Sequence, residues 1–242
     1  MAGFSSWLII VVTLAVAVLV SLGMERAIFR SLRGAEATTL MIASFALSYF
    51  LQNLALATMT GFAKSFDGIP LLIKTVTIYQ LHIPLGNIVT IVVTTAVLVF
   101  LSMFLKRTSL GVQMRAAAED IITAQLLGVQ TNRVVATAFA ISGFMAGVVA
   151  LLSLGQLGMV GHISGVEPLI VAFVAVVLGG MGSLVGAALG GFLVGIIQTV
   201  FQVGLPTDLG GYRQAFVFIV VIAILLFRPQ GILAQRTTGR KA

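Results

Sequence analysis

Long apolar stretches alternate along the chain with short polar connections. A helix needs roughly 20 apolar residues to cross a hydrocarbon layer of about 30 Å, because each residue advances it by about 1.5 Å. The pattern predicts seven membrane spans, of which the fifth and the seventh are short. Their limits are residues 7–23, 38–60, 85–105, 134–155, 166–181, 184–204 and 213–227. The fold class predicted is therefore an all-α integral membrane protein, a polytopic bundle of about seven transmembrane helices with a range of roughly six to eight.

The fifth stretch runs into a glycine cluster with almost no polar break before the sixth, so we expect it to be re-entrant or tilted. The first stretch has neither a basic region before it nor an A-x-A cleavage pattern behind it, which predicts a retained span and not a signal peptide. We expect one transmembrane domain over residues 1–242.

Composition agrees with this interpretation. Of the 242 residues, 59% are hydrophobic and 9% are charged, against about 45–50% and roughly 25% in soluble domains. The mean hydropathy is +1.15. A folded chain with so few charges cannot cover itself in water, and a disordered chain would be far less apolar. The absence of cysteine from the sequence excludes disulfides and thiolate metal sites.

The basic residues predict an orientation, because lysine and arginine near span ends resist translocation. Eleven of the fourteen basic residues follow spans one and three or lie in the C-terminal tail. They are Arg26, Arg30, Arg33, Lys106, Arg107, Arg115, Arg133, Arg228, Arg236, Arg240 and Lys241. The other three, Lys64, Lys74 and Arg213, lie in the alternate connections. The segments 24–36, 106–133 and 228–242 are therefore predicted to be cytoplasmic, and the N-terminus and segment 61–84 to be external. Anionic lipid is a secondary partner of this charge, and no nucleic acid is implied.

Glycines recur at helical spacing in two of the predicted spans. Gly143 and Gly147 lie in the fourth span, and Gly182, Gly186 and Gly190 lie in or near the sixth. Such rows let helix backbones approach closely in a membrane. Packing within the chain is the simpler interpretation of both rows, and an interface between subunits is the alternative.

The motifs of catalytic and nucleotide-binding sites are missing from the sequence. There is no H-E-x-x-H, no G-x-S-x-G and no G-x-x-x-x-G-K-[ST], so we expect neither an enzyme nor a bound cofactor or metal. His82 and His162 stand alone, which favours interfacial side chains over a metal site. The spans contain almost no charge, which argues against an ion-coupled carrier. Glu167 precedes Pro168, a pattern typical of a helix start, although Glu167 could instead line the mouth of a pathway.

The segment from residue 111 to residue 134 is the most informative part of the chain. Three successive alanines favour a helix, and Gly128 after Leu127 is a natural helix terminator, which predicts one short helix near 114–128. Apolar residues at positions 117, 121, 124 and 127 form one stripe. The segment is either a connector lying on the membrane surface or a docking helix for a cytoplasmic partner.

At this segment the chain resembles the membrane subunits of branched-chain amino-acid importers of the ATP-binding cassette class, the LivH/LivM type. Their loop of the form G-x-x-x-R-A-x-A-E-D-x-x-x-A-x-L-L-G is matched here by Gly111, Arg115, Ala116, Ala118, Glu119, Asp120, Ala124, Leu126, Leu127 and Gly128. Residues 172–191, the ending RPQGIL at 228–233 and the loop MERAIFRSLRG at 24–34 also resemble the family. The resemblance covers most of residues 24–233.

This resemblance implies that the loop is a coupling segment through which a permease receives the motion of its ATPase subunits. Arg115, Ala118, Glu119, Asp120, Ala124 and Gly128 would belong to it. Glu119 and Asp120 would complement basic groups of the partner, and Gly128 would allow the turn back into span four. The implied partners are a second permease subunit, cytoplasmic ATPases that carry out the ATP hydrolysis, and an external solute-binding protein.

The chain departs from the family pattern at three places. Ile121 and Ile122 stand where members carry polar or charged residues, so we expect a more apolar docking face. Ser31 replaces a proline. The apolar helix with which members begin, ending in an N-F-A-H-G-like segment, has no counterpart in this sequence.

The expected function is translocation of branched-chain amino acids across the inner membrane. The alternatives are translocation of urea or short amides, and secondary transport of a small solute. The residues that bind the solute are not predicted.

Overall fold

The computed structural model describes residues 6–32, 34–59, 64–65, 75–78, 81–180, 182–228 and 231. Their helices are α1 (Ser6–Met24), α2 (Ala37–Met59), α3 (Leu85–Arg107), α4 (Ser109–Glu119), α5 (Ile121–Leu126), α6 (Thr131–Leu157), α7 (Val166–Gly179), α8 (Leu184–Gly204) and α9 (Arg213–Phe227). A π-helical turn, Glu25–Phe29, continues α1, and a 3₁₀ turn, Thr207–Tyr212, precedes α9. The predicted all-α membrane class is confirmed.

Six helices among the described residues are long and apolar enough to cross a membrane. They are Trp7–Phe29, Thr38–Thr58, Leu85–Arg107, Thr131–Leu154, Leu184–Gly204 and Leu209–Phe227. Each lies at a predicted span. The fifth predicted span forms only the 14-residue helix α7, about 21 Å long at 1.5 Å per residue. Because that length is below the roughly 30 Å hydrocarbon thickness, α7 does not cross it alone.

Short strands occupy part of the connection between α2 and α3, where the sequence analysis expected none. Strands β2 (Thr75–Ile78) and β3 (Leu81–Pro84) pair as an antiparallel hairpin. Strand β1 (Lys64–Ser65) pairs antiparallel with β4 (Met159–Val160), which follows α6. The β1–β4 pairing joins the two connections through their backbones. Arg33, Lys74, Arg236, Arg240 and Lys241 lie outside the described residues, and so does the side chain of His82.

The chain divides into two compact units, Met1–Ile163 and Ser164–Ala242. In the first unit α1 packs along α6. A Cβ atom added at Gly143 would lie 2.6 Å from the Cβ of Ser21, and one added at Gly147 would lie 3.1 Å from the Cβ of Ala17. The Ser21 hydroxyl donates a hydrogen bond of 2.6 Å to the carbonyl oxygen of Phe139. This pair of glycines therefore brings two helices of one chain together.

The start of the predicted loop 24–36 is helical. The turn Glu25–Phe29 extends the first span, and Glu25 is only 5% exposed. The Phe29 ring lies 5.2 Å from that of Phe139, so this turn packs on α6. The first span consequently ends at residue 29 and not at residue 23, because contacts with α6 hold the extra turn in place.

In the second unit α7 and α8 form a tight hairpin. A Cβ atom at Gly186 would lie 2.5 Å from the carbonyl oxygen of Gly179, and one at Gly190 would lie closer still to the carbonyl oxygen of Ala175. Gly182 does not belong to this packing row. It has a φ of +96° in the turn before α8, and none of the described residues would place an atom within 4 Å of its Cβ. The prediction that Gly182 packs between helices is therefore wrong, because the residue makes the turn instead.

The core of the second unit consists of buried aliphatic side chains from α7, α8 and α9. They are Leu178, Val194, Val217 and Val221. Glu167 lies in the first turn of α7, which begins at Val166, and its side chain is exposed. The predicted helix start at this position is confirmed.

Candidate functional site

The connection between α3 and α6, residues 108–130, consists of two short helices joined at one residue. We call it the α4–α5 segment. It lies between two candidate membrane spans and outside both. The sequence predicts one helix here, near 114–128. The structure has α4 and α5, separated at Asp120, whose φ of −153° and ψ of 110° are extended. The prediction of a single helix is therefore wrong.

Asp120 breaks the helix because its carboxylate caps α5. Its Oδ1 accepts hydrogen bonds from the backbone N–H groups of Ile122, at 2.9 Å, and Thr123, at 3.3 Å. The Thr123 hydroxyl donates a third hydrogen bond to its Oδ2. Aspartate is favoured at this position because it satisfies donors that a helix start leaves free. These hydrogen bonds, with the Thr123 hydroxyl contributing most, hold the pKa of Asp120 below its ordinary value of 3.8.

Gly128 ends α5 with a left-handed turn. Its φ is +85°. The N–H of Gly128 donates to the carbonyl oxygen of Gln125 at 2.9 Å, and the N–H of Val129 donates to that of Ala124 at 3.0 Å. This pair of hydrogen bonds is a Schellman motif, which satisfies the last carbonyl groups of a helix. Gly128 thus directs the chain from α5 into α6.

The other end of the segment is set by Thr108 and Gly111, which the sequence analysis did not single out as a turn. The Thr108 hydroxyl donates to the carbonyl oxygen of Phe104 at 2.7 Å and accepts from the N–H of Gly111 at 3.0 Å. A Cβ atom at Gly111 would lie 2.5 Å from the carbonyl oxygen of Phe104. The sequence signal for this helix start is Thr108, because threonine is a preferred N-cap residue and its hydroxyl can accept the backbone N–H three residues later. The close turn fixes α4 directly to the end of α3.

A small apolar cluster holds the segment against α6. Ala117, Ala124 and Val134 are buried together, at 9%, 2% and 4% exposure. The resemblance placed Ala124 on the ATPase surface. The structure corrects this expectation, because a side chain packed between α4 and α6 has no surface left for a partner.

The exposed surface of the segment includes several large apolar side chains. Ile122, Leu126 and Leu127 are 69%, 84% and 79% exposed, and Ile121 is 46% exposed. Residues 117, 121, 124 and 127 do not form one face as predicted, since Ala117 and Ala124 are buried whereas Ile121 and Leu127 are exposed. The remaining residues that the resemblance assigned to coupling are exposed as well. They are Arg115, Ala118, Glu119, Asp120 and Gly128.

Within the described ranges, no three histidine or acidic side chains lie close enough together to hold a metal ion. His162 is half-buried and follows β4. The α4–α5 segment can therefore bind a partner through its exposed apolar side chains and the few charges beside them.

Comparison with known proteins identifies the family. The family described as "Branched-chain amino acid transport system / permease component" matches residues 1–225. The chain belongs to this family. It is a multi-pass membrane protein and a permease component of a transport system.

Curated relatives agree with the family. The chain is 34% identical over 223 residues to the high-affinity branched-chain amino acid transport system permease protein BraD of Pseudomonas aeruginosa. This match covers 87% of the chain and 69% of BraD. It is 30% identical over 240 residues to the permease protein LivH of Salmonella typhimurium, with coverage of 96% and 76%. The autoinducer 2 import system permease protein LsrD of Salmonella paratyphi B is 29% identical over 130 residues, 51% of this chain and 39% of the relative. No solved structure matches the permease significantly.

Proposed function

We propose that this permease is the membrane-spanning subunit of an ATP-binding cassette importer, and that cytoplasmic ATPase subunits dock on its α4–α5 segment. The exposed side chains of Ile122, Leu126 and Leu127 carry the proposal. Each of these side chains favours burial by about 1.5–3 kcal/mol, so a partner that covers them gains free energy. ATP hydrolysis belongs to the partner subunits.

The construction of the segment supports a role in transmitting motion. The Thr108 turn fixes α4 to α3, and the Schellman turn at Gly128 fixes α5 to α6. A force on the docked surface therefore reaches two membrane spans through short, hydrogen-bonded connections. Alternating access needs such a connection, because the free energy of ATP binding and hydrolysis must shift the equilibrium between two arrangements of the spans.

The proposed cargo is a branched-chain amino acid. BraD and LivH carry this substrate class in their names and match over most of the chain. LsrD, whose name gives autoinducer 2, matches over about half of it. The proposed companions are a second permease subunit and an external solute-binding protein.

The proposed location is the inner membrane, with the N-terminus outside. The positive residues support this orientation, since Arg26 lies in the last turn of the first span, Arg30 follows it, and Lys106 and Arg107 end α3. On this orientation the α4–α5 segment faces the cytoplasm, where ATP is available to the partner.

The proposal is tested with the double variant Leu126→Glu and Leu127→Glu. Two buried carboxylates would oppose docking, so co-purification of the ATPase subunits and uptake of labelled leucine should both be lost. Insertion of the permease and its thermal unfolding should be unchanged, because both side chains are exposed.

The control is Ser31→Glu, which adds a negative charge at an exposed position of the other connection on the same predicted side. It should retain docking and uptake. Normal leucine-stimulated ATP hydrolysis in the double variant would refute docking at this segment. Uptake that urea abolishes and isoleucine does not would refute the proposed cargo while leaving the docking result intact.

A further inference from the structure

The glycine contacts of the α7–α8 hairpin set the register of its two helices. A Cβ atom at Gly186 would lie 2.5 Å from the carbonyl oxygen of Gly179, and one at Gly190 would meet the carbonyl oxygen of Ala175. A step of four residues back along α7 therefore corresponds to a step of four residues forward along α8. The two helices run antiparallel and side by side.

This register places the start of α7 below the end of α8. One step further along, Val171 faces Val194, and Val171 does pack against the core that contains Val194. The next step makes Glu167 level with Gln198. Helix α8 continues from there for six residues to Gly204, which is about 9 Å of helix. Glu167 therefore lies within the layer that α8 crosses and not at its surface.

Helix α9 also extends past the start of α7. The ring of Phe216 in α9 stacks on that of Phe201 in α8, with the ring centroids 5.8 Å apart. Phe201 lies three residues beyond Gln198, which is about 4.5 Å further toward the end of α8. The two longer helices thus still pack on each other at a level that α7 does not reach.

The tail shows which side of the membrane this level is near. Gly231 is buried, and a Cβ atom there would lie 2.6 Å from the backbone nitrogen of Gly180 and 3.1 Å from the carbonyl oxygen of Leu178. Gly231 follows Arg228, the C-cap of α9. The α7–α8 turn and the end of α9 are therefore on one side, which is cytoplasmic in the proposed orientation. The level that α7 leaves unfilled is on the external side.

The residues at the start of α7 are polar and exposed. Ser164 and Gly165 are not helical, and both are exposed, as is Glu167 in the first turn. A charged side chain is unfavourable in hydrocarbon, and non-helical backbone is tolerated at membrane depth only where protein buries it or water reaches it. The described residues leave all three positions exposed. We therefore expect water at this level.

We propose that the start of α7 lines a water-filled vestibule, which opens to the external side and reaches about 9 Å below the end of α8. The proposal rests on the import function and the orientation proposed above. A zwitterionic amino acid enters the membrane here, and the carboxylate of Glu167 attracts its ammonium group. In secondary transporters, discontinuous helices border the solute site in the same way, because they leave room for the solute within the membrane.

The test is the labelling of single cysteines, since the sequence has no cysteine of its own. Spheroplasts that contain the complete transporter are treated with a membrane-impermeant methanethiosulfonate reagent. Ser164→Cys should react from outside, because the reactive thiolate forms only where water is present. Val200→Cys is the control for depth. Val200 is level with Gly165 in the register above but is 61% exposed among the apolar side chains of α8, so lipid should keep it unreactive. Gly210→Cys, in the exposed turn between α8 and α9, is the positive control and reports the side of the membrane.

The role of Glu167 is tested with the charge of the reagent. At Ser164→Cys, a cationic reagent should react faster than an anionic one, relative to their rates at Gly210→Cys. Adding Glu167→Gln should lower this preference by about tenfold, because a nearby unit charge attracts one reagent and repels the other. Adding Glu167→Asp keeps the charge and should keep the preference. An unchanged preference with Glu167→Gln would overturn the role of Glu167.

The two controls separate the results that would overturn the vestibule. If Ser164→Cys and Val200→Cys are both unreactive, lipid or a second permease subunit covers the start of α7. If both react, this level lies at the membrane surface. Labelling of Ser164→Cys only from the cytoplasmic side, with Gly210→Cys labelled from outside, would refute the external opening alone. Labelling of Gly210→Cys only from the cytoplasmic side would refute the proposed orientation, and the external vestibule with it.

Discussion

The contact of Gly190 with α7 gives the sharpest quantitative prediction, for the substitution Gly190→Ala. A Cβ atom there would lie 2.8 Å from the backbone nitrogen of Gly179, and the carbonyl oxygen of Ala175 is closer still. Ordinary van der Waals contact begins at about 3.4 Å. Both obstacles are backbone atoms, so neither can rotate away. The helices α7 and α8 must therefore separate by at least about half an ångström.

The cost of that separation follows from what the helix pair buries. Leu178 is 0% exposed and Val194 is 1% exposed, and both belong to the core that α7 and α8 share. A gap of about 0.5–1 Å loses a quarter to a half of the dispersion energy of each contact. Overpacking of this kind typically costs about 1–3 kcal/mol. Alanine returns up to about 1 kcal/mol through its higher helix propensity, which leaves a net loss of up to about 2 kcal/mol.

The assay is thermal unfolding of the purified chain in detergent, followed by circular dichroism. Gly195→Ala is the matched control, because it lies on the same helix and its added Cβ would have no atom of the described ranges within 4 Å. The control should be as stable as the parent or slightly more stable, whereas Gly190→Ala should unfold at a lower temperature. Equal stability of the two variants would refute the close packing of α7 and α8 at this position.

The remaining predictions concern local contacts. Gly128→Ala should destabilise the turn into α6 by about 1–2 kcal/mol, because its φ is +85°. Gly165→Ala should not be destabilising, because Gly165 has a negative φ and open space around it. Chemical unfolding of both variants checks this prediction. Ser21→Ala should lose about 0.5–1 kcal/mol with its hydrogen bond to α6, and an unchanged unfolding midpoint would contradict this. The Asp120 cap should persist from neutral pH down to about pH 4 and weaken only below it. The reason is the lowered pKa of Asp120, since the stabilisation from the cap is lost as pH falls through the folded-state pKa. Amide chemical shifts of residues 121–126 should titrate with a midpoint below 3.8, and a higher midpoint would refute the cap.

The positions of the membrane spans were predictable from the sequence because lipid imposes a simple rule. A backbone in hydrocarbon must satisfy its own hydrogen bonds, so a long apolar stretch forms a helix whatever its neighbours do. Each predicted span corresponds to a helix, and the short fifth span corresponds to the short helix α7. The turn at Gly128 was predictable for a local reason also, since a glycine after a helix is a common terminator.

The details of the connection between α3 and α6 depended on contacts that the linear pattern does not contain. The run of alanines favours helix through Glu119 and beyond, but the carboxylate of Asp120 has donors within reach only when the helix restarts after it. Burial of Ala124 requires the side chains of Ala117 and Val134 to meet around it. Periodicity alone placed Ala124 and Leu127 on one face, whereas packing buried the first and exposed the second.

The glycines show the same division. Spacing alone could not distinguish Gly182 from Gly186, because both fit one four-residue row. The structure places the first in a left-handed turn and the second against the backbone of α7. The sequence by itself determined which segments enter the membrane, since that choice depends on the transfer free energy of each stretch. Tertiary structure decided which small residues pack, which turn and which side chains are left exposed, because those choices depend on the neighbours that each helix meets.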